Sequence, residues 1–111
     1  MTTTRNETTD TLVDLLWRTV HNDERYLVRD LTMGAVTLSE TRLHAGRSTR
    51  GHAHPWPEVY QCNEGVGTLF LDDEPYSLTP GARFVVPGGT HHRVATDHGV
   101  TFTCVFEGPR R

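Results

Sequence analysis

The sequence predicts an all-β protein, a closed or sandwiched antiparallel sheet with one short helix before it. Three observations predict this class. The chain has 111 residues, which is about one domain. Its 10 Gly and 6 Pro favour many turns over long helices. Its apolar residues come in short runs between turn residues, and about nine such strands are expected to close on themselves because open sheet edges promote aggregation.

The N-terminal residues 1–9 are predicted to be a flexible polar tail, and residues 10–108 a single domain. The tail is rich in Thr and offers no apolar surface to bury against the entropy of ordering. After a candidate cap at Thr9 or Asp10, apolar residues recur at helical spacing. This spacing predicts one short N-terminal helix over residues 10–20.

The rest of the chain is predicted to form strands, because runs of apolar and β-branched residues alternate with clusters of Gly, Pro, Asn and Asp. The predicted strands are Tyr26–Leu31, Gly34–His44, Thr49–His54, Glu58–Asn63, Gly67–Leu71, Tyr76–Leu78, Arg83–Val86, His92–Thr96 and Val100–Phe106.

Charge and cysteine content limit the function classes. A formal net charge of −3 gives no electrostatic case for a nucleic-acid partner or an anionic membrane. The apolar patch 12–17 is too short and too polar for a signal peptide or a membrane span. Cys62 and Cys104 cannot build a disulfide framework, and strand parity makes both buried, inert thiols. We therefore predict a cytoplasmic protein.

Seven histidines are unusual in so short a chain. In a strand, His52 and His54 project to the same face, and Glu58 can return to that face after the Pro-Trp-Pro corner. A later segment supplies His92. Three imidazoles and one carboxylate bind a divalent transition metal and leave coordination positions open. The His-x-His pair alone is also consistent with an ordinary polar strand.

The glycines and prolines around these residues favour the metal site. Gly46, His52, His54, Glu58 and Gly65 stand at fixed separations in the first segment, and the second has Gly81, Pro87-Gly88-Gly89 and His92. Fifteen residues, 66–80, separate the two segments. This pattern resembles both signature motifs of the cupin superfamily. The pattern usually ends in Asn four residues after the last His, where this chain has Thr96, a turn position that leaves the ligand set intact.

The resemblance implies a conical antiparallel jelly-roll barrel, that of a small single-domain cupin. It implies one divalent metal, Mn, Fe, Ni, Co, Cu or Zn, held by His52, His54, Glu58 and His92. It also implies a small-molecule substrate and a homodimer, since many small cupins pair through exchanged strands. The other histidines, His21, His44, His91 and His98, match no motif position, and His91 is predicted on the outer face.

Three further residues are predicted to contact substrate. Tyr60 shares the face of the ligands and offers a hydroxyl that can donate to a metal-bound oxygen or act as an acid. An equally good interpretation packs it against Phe84 or Phe102. Arg50 can clamp a carboxylate or phosphate, or it can lie solvated at the rim. Trp56 can cover the mouth of the barrel or pack against a second subunit.

The predicted function is that of a metal-dependent enzyme acting on a small, oxygen-rich molecule. We lean to oxygen-dependent, dioxygenase-like oxidation, because the ligand set looks like that of many cupin dioxygenases. Glu58 acting as a general base would instead favour a Lewis-acid isomerase, epimerase or lyase. A noncatalytic barrel that binds a metal or a ligand is the alternative from another class.

Overall fold

Residues 16–111 are described by a computed structural model, and they form nine strands. The strands are β1 (Arg18–Asn22), β2 (Tyr26–Met33), β3 (Val36–Leu43), β4 (Glu58–Gly65), β5 (Gly67–Leu71), β6 (Glu74–Leu78), β7 (Arg83–Val86), β8 (His92–Ala95) and β9 (Val100–Glu107). Within these residues no helix is long and apolar enough to cross a bilayer.

The strands form two antiparallel sheets. One has six strands in the order β1-β2-β3-β9-β4-β7, and the other has three in the order β6-β5-β8. The core lies between them, where Leu43, Tyr60 and Phe102 of the large sheet pack with Leu69 and Val94 of the small sheet. Burying a side chain of this size stabilises the fold by about 2 kcal/mol. The predicted all-β antiparallel fold is confirmed.

The strand register sorts the large sheet into an inner and an outer side. Across β2, β3, β9, β4 and β7 the pairing aligns an inner row of side chains, which is Asp30, Ser39, Cys104, Tyr60 and Phe84. The neighbouring positions align an outer row, which is Leu31, Leu38, Val105, Val59 and Val85. Successive side chains alternate between the two faces of a sheet, so the inner row faces the barrel and the outer row is an apolar band on the opposite face.

Two predicted elements differ from the structure. Of the predicted helix, residues 10–15 lie outside the described residues, as does the predicted tail over 1–9. Arg18–Val20 belong to strand β1, so the helix prediction is wrong there. β1 pairs with β2, and this pairing outweighs a helical spacing that rests mainly on earlier residues.

The predicted strand Thr49–His54 is also wrong. Only isolated bridges form in this region, from Ser48 to Ala95 and from His52 to His92. Gly51 is the physical reason, because its φ of +85° interrupts the extended backbone of a strand. The segment nonetheless follows β8, and the backbones of His52 and His92 donate hydrogen bonds to each other at 3.1 and 2.9 Å.

Candidate metal centre

The structure brings the four predicted ligands into one group. The donor atoms of His52, His54, Glu58 and His92 all lie within 4.8 Å of one another. We call these four residues the ligand cluster. Glu58 begins β4 of the large sheet and His92 begins β8 of the small sheet, while both other histidines lie between β3 and β4. The cluster therefore joins residues from both sheets.

Two loops in contact set the positions of these ligands. The Gly89 N–H donates to the His54 carbonyl at 2.7 Å. Next to it, Gly88 packs so closely that a Cβ there would lie 2.1 Å from the carbonyl oxygen of Pro55. The loop before His92 can reach the turn between His54 and Glu58 only because position 88 has no side chain.

Backbone carbonyls fix the protonation of two of the imidazoles. His54 Nδ1 lies 2.7 Å from the Trp56 oxygen, and His92 Nδ1 lies 2.9 Å from the Thr90 oxygen. A carbonyl can only accept, so in each ring Nδ1–H donates and the neutral ring keeps its lone pair on Nε2. Hydrogen bonds of this kind orient the histidine ligands of metal sites.

The donor atoms of the cluster fit a divalent cation. Among the described residues, the buried His92 Nε2 has no hydrogen-bond partner. Glu58 Oε1 lies 2.5 Å from His54 Nε2 and 3.8 Å from His92 Nε2. With both Nδ1 atoms protonated, these contacts set lone pairs against a carboxylate oxygen, and a cation between them would satisfy all three atoms.

His52 completes the donor set from the more exposed side. Burial, followed by the neighbouring His92 and His54 rings, lowers the pKa of His52 to about 4. The ring is therefore neutral at pH 7 and has a lone pair to offer, as a metal ligand must.

Two cavities meet at the ligand cluster. The large cavity has a volume of about 450 Å³ and the small cavity about 220 Å³. The residues that line both are His52, Glu58, Phe106 and Arg110. A small molecule in either cavity would lie next to the cluster, and the volume of the large cavity suits a ligand of metabolite size.

The structure places the three predicted substrate residues around these cavities. Tyr60 is 7% exposed, lines the large cavity, and stacks on Phe102 at 5.4 Å, so it packs as one interpretation predicts while its contact with substrate stays a prediction. Arg50 is exposed and lines the large cavity. Trp56 lines the small cavity and stacks on His54 at 4.4 Å.

Tyr60 and Cys104 are neighbours in the inner row. Burial raises the pKa of each group well above its ordinary value. Both therefore keep their protons at neutral pH, so Tyr60 can donate a hydrogen bond into the cavity but cannot serve there as a base. Cys62 and Cys104 are free and buried, in agreement with their predicted parity.

Sequence reasoning missed several residues of the cavity walls. Arg110 lines both cavities and forms an ion pair with Asp30, whose side chain is 2% exposed. His21, Arg25 and Tyr26 line the large cavity. Asp30 is the residue that could have indicated Arg110 from the sequence. It is a charged residue at an inward position of a predicted strand, so it needs a cationic partner.

Thr96 fills the turn position where the motif usually has Asn. Its hydroxyl donates to the Val66 carbonyl at 2.7 Å and accepts from the Gly99 N–H at 3.0 Å. Thr can therefore make the local side-chain to backbone bonds of a turn residue here.

Comparisons with known proteins agree with this fold. The family model described as Cupin domain matches residues 39–106, which contain all four members of the ligand cluster. The chain is 30% identical over 100 residues to dimethylsulfoniopropionate lyase DddW of Ruegeria pomeroyi, covering 89% of this chain and 62% of that protein. It is 30% identical over 112 residues to L-ectoine synthase of Rhodococcus erythropolis, covering 96% and 82%. The chain thus spans less than two thirds of the length of the lyase.

Solved structures show the same barrel. An RmlC-like cupin from Shewanella frigidimarina superposes with a TM-score of 0.76 at 20% identity, over 86% of each chain. The polyketide cyclase RemF from Streptomyces resistomycificus gives 0.73 at 21% identity, over 85% of this chain and 75% of the cyclase. A salicylate 1,2-dioxygenase from Pseudaminobacter salicylatoxidans gives 0.72 at 19%, over 77% and 27%. At such identities the likeness concerns the jelly-roll fold alone.

Proposed function

Because this chain belongs to the cupin family, we propose that it is a metal-dependent lyase acting on a small molecule in its barrel. The observation that carries the proposal is the ligand cluster at the wall shared by the two cavities. The relatives support the reaction class, since one is named a lyase and another a synthase. Neither name states an oxidation, so the relatives favour the lyase alternative over the dioxygenase-like oxidation predicted from the ligand set.

The substrate we propose is dimethylsulfoniopropionate, on which the Ruegeria relative is named to act. Its lyase reaction is an elimination. A base removes a proton from the carbon next to the carboxylate, the C–H electrons form a C=C bond, and the C–S bond breaks. The electron pair leaves with sulfur, so the products are acrylate, dimethyl sulfide and one proton.

We propose that Glu58 acts as the base for this step once its carboxylate is not bound to the ion, which His52, His54 and His92 would continue to hold. Among the described residues that line the large cavity, Glu58 is the only one with a carboxylate. Tyr60 and Cys104 keep their protons because burial raises the pKa of each. Tyr60 is therefore placed to donate a hydrogen bond to a substrate oxygen. A bound divalent ion would supply Lewis-acid polarisation of the substrate carboxylate.

The test is the release of dimethyl sulfide. The protein is purified without a chelating tag, its metal is identified by elemental analysis, and dimethyl sulfide is measured by gas chromatography. We expect turnover that is unchanged under strict anaerobiosis and that falls at least 100-fold in Glu58→Gln, within the range of general-base catalysis. Oxygen consumption during turnover would instead support the dioxygenase-like oxidation predicted from the sequence. Tight binding without turnover would support a noncatalytic binding module.

A second candidate is a cyclising activity like that of the ectoine synthases. It is favoured by the coverage, because the match to the Rhodococcus erythropolis protein spans 96% of this chain. Incubation with L-ectoine, followed by NMR, checks the reverse reaction. This candidate would be favoured if the ring of L-ectoine opens only when the metal is bound and no dimethyl sulfide is released from dimethylsulfoniopropionate.

We also propose that the protein is a cytoplasmic homodimer. The support for the dimer is the outer row, an apolar band in which Val59 is 41% and Val85 is 66% exposed. Exposed apolar bands of this kind mark interaction surfaces. Light scattering at micromolar concentration should give twice the 12.5 kDa of one chain, and a monomer would contradict the proposal.

A further inference from the structure

Arg110 lies between the ligand cluster and the inner row. It lines both cavities. Its Nε and Nη2 donate to the two carboxylate oxygens of Asp30 at 2.6 and 2.9 Å, and Nη2 also donates to the Ser39 hydroxyl at 2.9 Å. Asp30 and Ser39 are each 2% exposed, so buried acceptors hold one edge of the guanidinium.

The opposite edge of the guanidinium is available to a ligand. In the part of the chain that the structure describes, residues 16–111, no hydrogen bond is formed by Arg110 Nη1. The side chain as a whole is 40% exposed, while its guanidinium carbon lies 5.5 Å from the Phe106 ring centroid. A guanidinium fixed along one edge presents its other donors in a defined direction, which limits the entropy lost on binding.

The charges around the large cavity favour an anion. Its walls contain Arg25, Arg50 and Arg110 against the single carboxylate of Glu58. Arg25 is paired with Asp23 at 2.8 Å and Arg110 with Asp30, so these pairs are close to neutral. With a divalent cation on the ligand cluster the cavity as a whole is positive, and an anionic substrate would balance it.

We infer that Arg110 binds the carboxylate group of the substrate through its Nη1 edge, and that Asp30 is a positioning residue that orients the guanidinium. The inference rests on the proposed function for the identity of the substrate, a small carboxylate. It assigns recognition to a residue outside both sequence motifs. Charge-assisted hydrogen bonds between guanidinium and carboxylate are among the stronger ones in proteins, which makes Arg110 the anchor of the substrate.

The experiment compares propionate with its neutral analogue propionamide. Binding of each to the metal-loaded protein is followed by NMR titration for wild type, Arg110→Lys, Arg110→Gln and Asp30→Asn. We expect wild type to prefer propionate by at least 10-fold. Arg110→Gln should abolish this preference and Arg110→Lys should retain part of it. Arg83→Lys, which changes an exposed arginine whose Nε donates to Gln61, is the matched control and should leave the preference unchanged.

Steady-state kinetics with dimethylsulfoniopropionate give the second readout. Arg110→Lys should raise KM at least 10-fold and change kcat less than 3-fold, with unchanged metal content. Asp30→Asn should raise KM in the same direction by a smaller factor, because Arg110 remains but is no longer oriented. A merely structural role of Asp30 would lower the binding of propionate and propionamide equally, and that result would overturn its assignment.

The two proposals fail in different ways. If no dimethyl sulfide is released but Arg110→Gln abolishes the preference for propionate, the lyase proposal fails and Arg110 remains the carboxylate site. If dimethyl sulfide is released by Arg110→Gln with the wild-type KM, the lyase stands and the assignment of Arg110 is overturned. Equal loss of both ligands in Arg110→Gln would also overturn it, since a structural defect does not discriminate charge.

Discussion

His91 and His92 show how one position along the chain separates two roles. His92 is 2% exposed and its Nε2 faces the ligand cluster, whereas His91 is exposed. The His91 ring lies beside Gly51, where a Cβ would be 3.0 Å from His91 Cε1. These two adjacent histidines therefore provide a test of the metal centre and its control.

We predict that His92→Ala loses stoichiometric divalent metal, because it removes a buried donor that a cation would share with Glu58 and His54. His91→Ala should keep the metal content of the wild type. Elemental analysis of protein purified without a chelating tag measures both. Full metal occupancy in His92→Ala would contradict the metal centre at this position.

The ligand cluster was predictable at the residue scale, and the pairing of Arg110 with Asp30 was not. Ligand spacing and glycine positions are local properties, so His52, His54, Glu58 and His92 can be identified without knowing the fold. Arg110 contacts Asp30 across 80 positions of sequence, and only strand pairing brings them together. Arg50 lines the large cavity, but strand parity cannot place it there, because the positive φ of Gly51 interrupts the predicted strand.

At the scale of elements, the loop between β7 and β8 leads from the large sheet to His92, which begins β8 of the small sheet. It is held by the Gly89 to His54 hydrogen bond and by the close approach of Gly88 to Pro55.

Both of these loops come from predicted turns, and the bounds of most strands are near those predicted from the sequence. β1 was missed because its sequence RTVHN has no alternating apolar pattern. Its place is set by pairing with β2.

We predict that Gly88→Ala separates these two loops. Its Cβ would lie 2.1 Å from a backbone oxygen that cannot rotate away, so the loops must move apart. We expect a loss of about 2–3 kcal/mol in the free energy of unfolding and at least 10-fold weaker metal binding. Chemical denaturation and competition with a chromophoric chelator measure the two effects.

Gly81→Ala is the matched control for this loop. Gly81 has a φ of +90°, but a Cβ there would meet nothing within 4 Å. It should cost about 1 kcal/mol of stability through backbone strain and leave metal affinity unchanged. Equal effects of the two substitutions on metal affinity would show that the contact between Gly88 and Pro55 does not position the ligands.

At the scale of the whole molecule, the Asp30–Arg110 pair ties the segment after β9 to the interior of the barrel. Burial raises the pKa of Asp30. Hydrogen bonds with Arg110 and Ser39 lower the pKa by more than burial raises it, so it lies below the ordinary value of 3.8. A carboxyl group with a lower pKa in the folded state stabilises the fold above its unfolded pKa. That contribution is lost as the pH falls through the folded pKa.

We predict that wild-type stability decreases as the pH falls below about 4, and that Asp30→Asn lacks this part of the acid dependence. At pH 7 the variant should be less stable by about 2 kcal/mol, because it leaves the Arg110 charge without its partner. Urea denaturation at several pH values measures this. Parallel pH curves for Asp30→Asn and wild type would contradict it.

Glu40→Gln is a suitable control, since Glu40 pairs with Arg29 one register position away on the same two strands. This pair is more exposed than the Asp30 side chain, and removing it should cost less than about 1 kcal/mol.

The origin of the four ligands has a consequence for how the barrel holds together. Glu58 belongs to the six-stranded sheet and His92 to the three-stranded sheet, and the segment of His52 bridges toward β8. An ion bound by all four would cross-link the two sheets, much as a disulfide joins two distant parts of a chain. Metal supply would then set the stability of the barrel as well as its activity, since a ligand that binds only the folded state stabilises it by mass action.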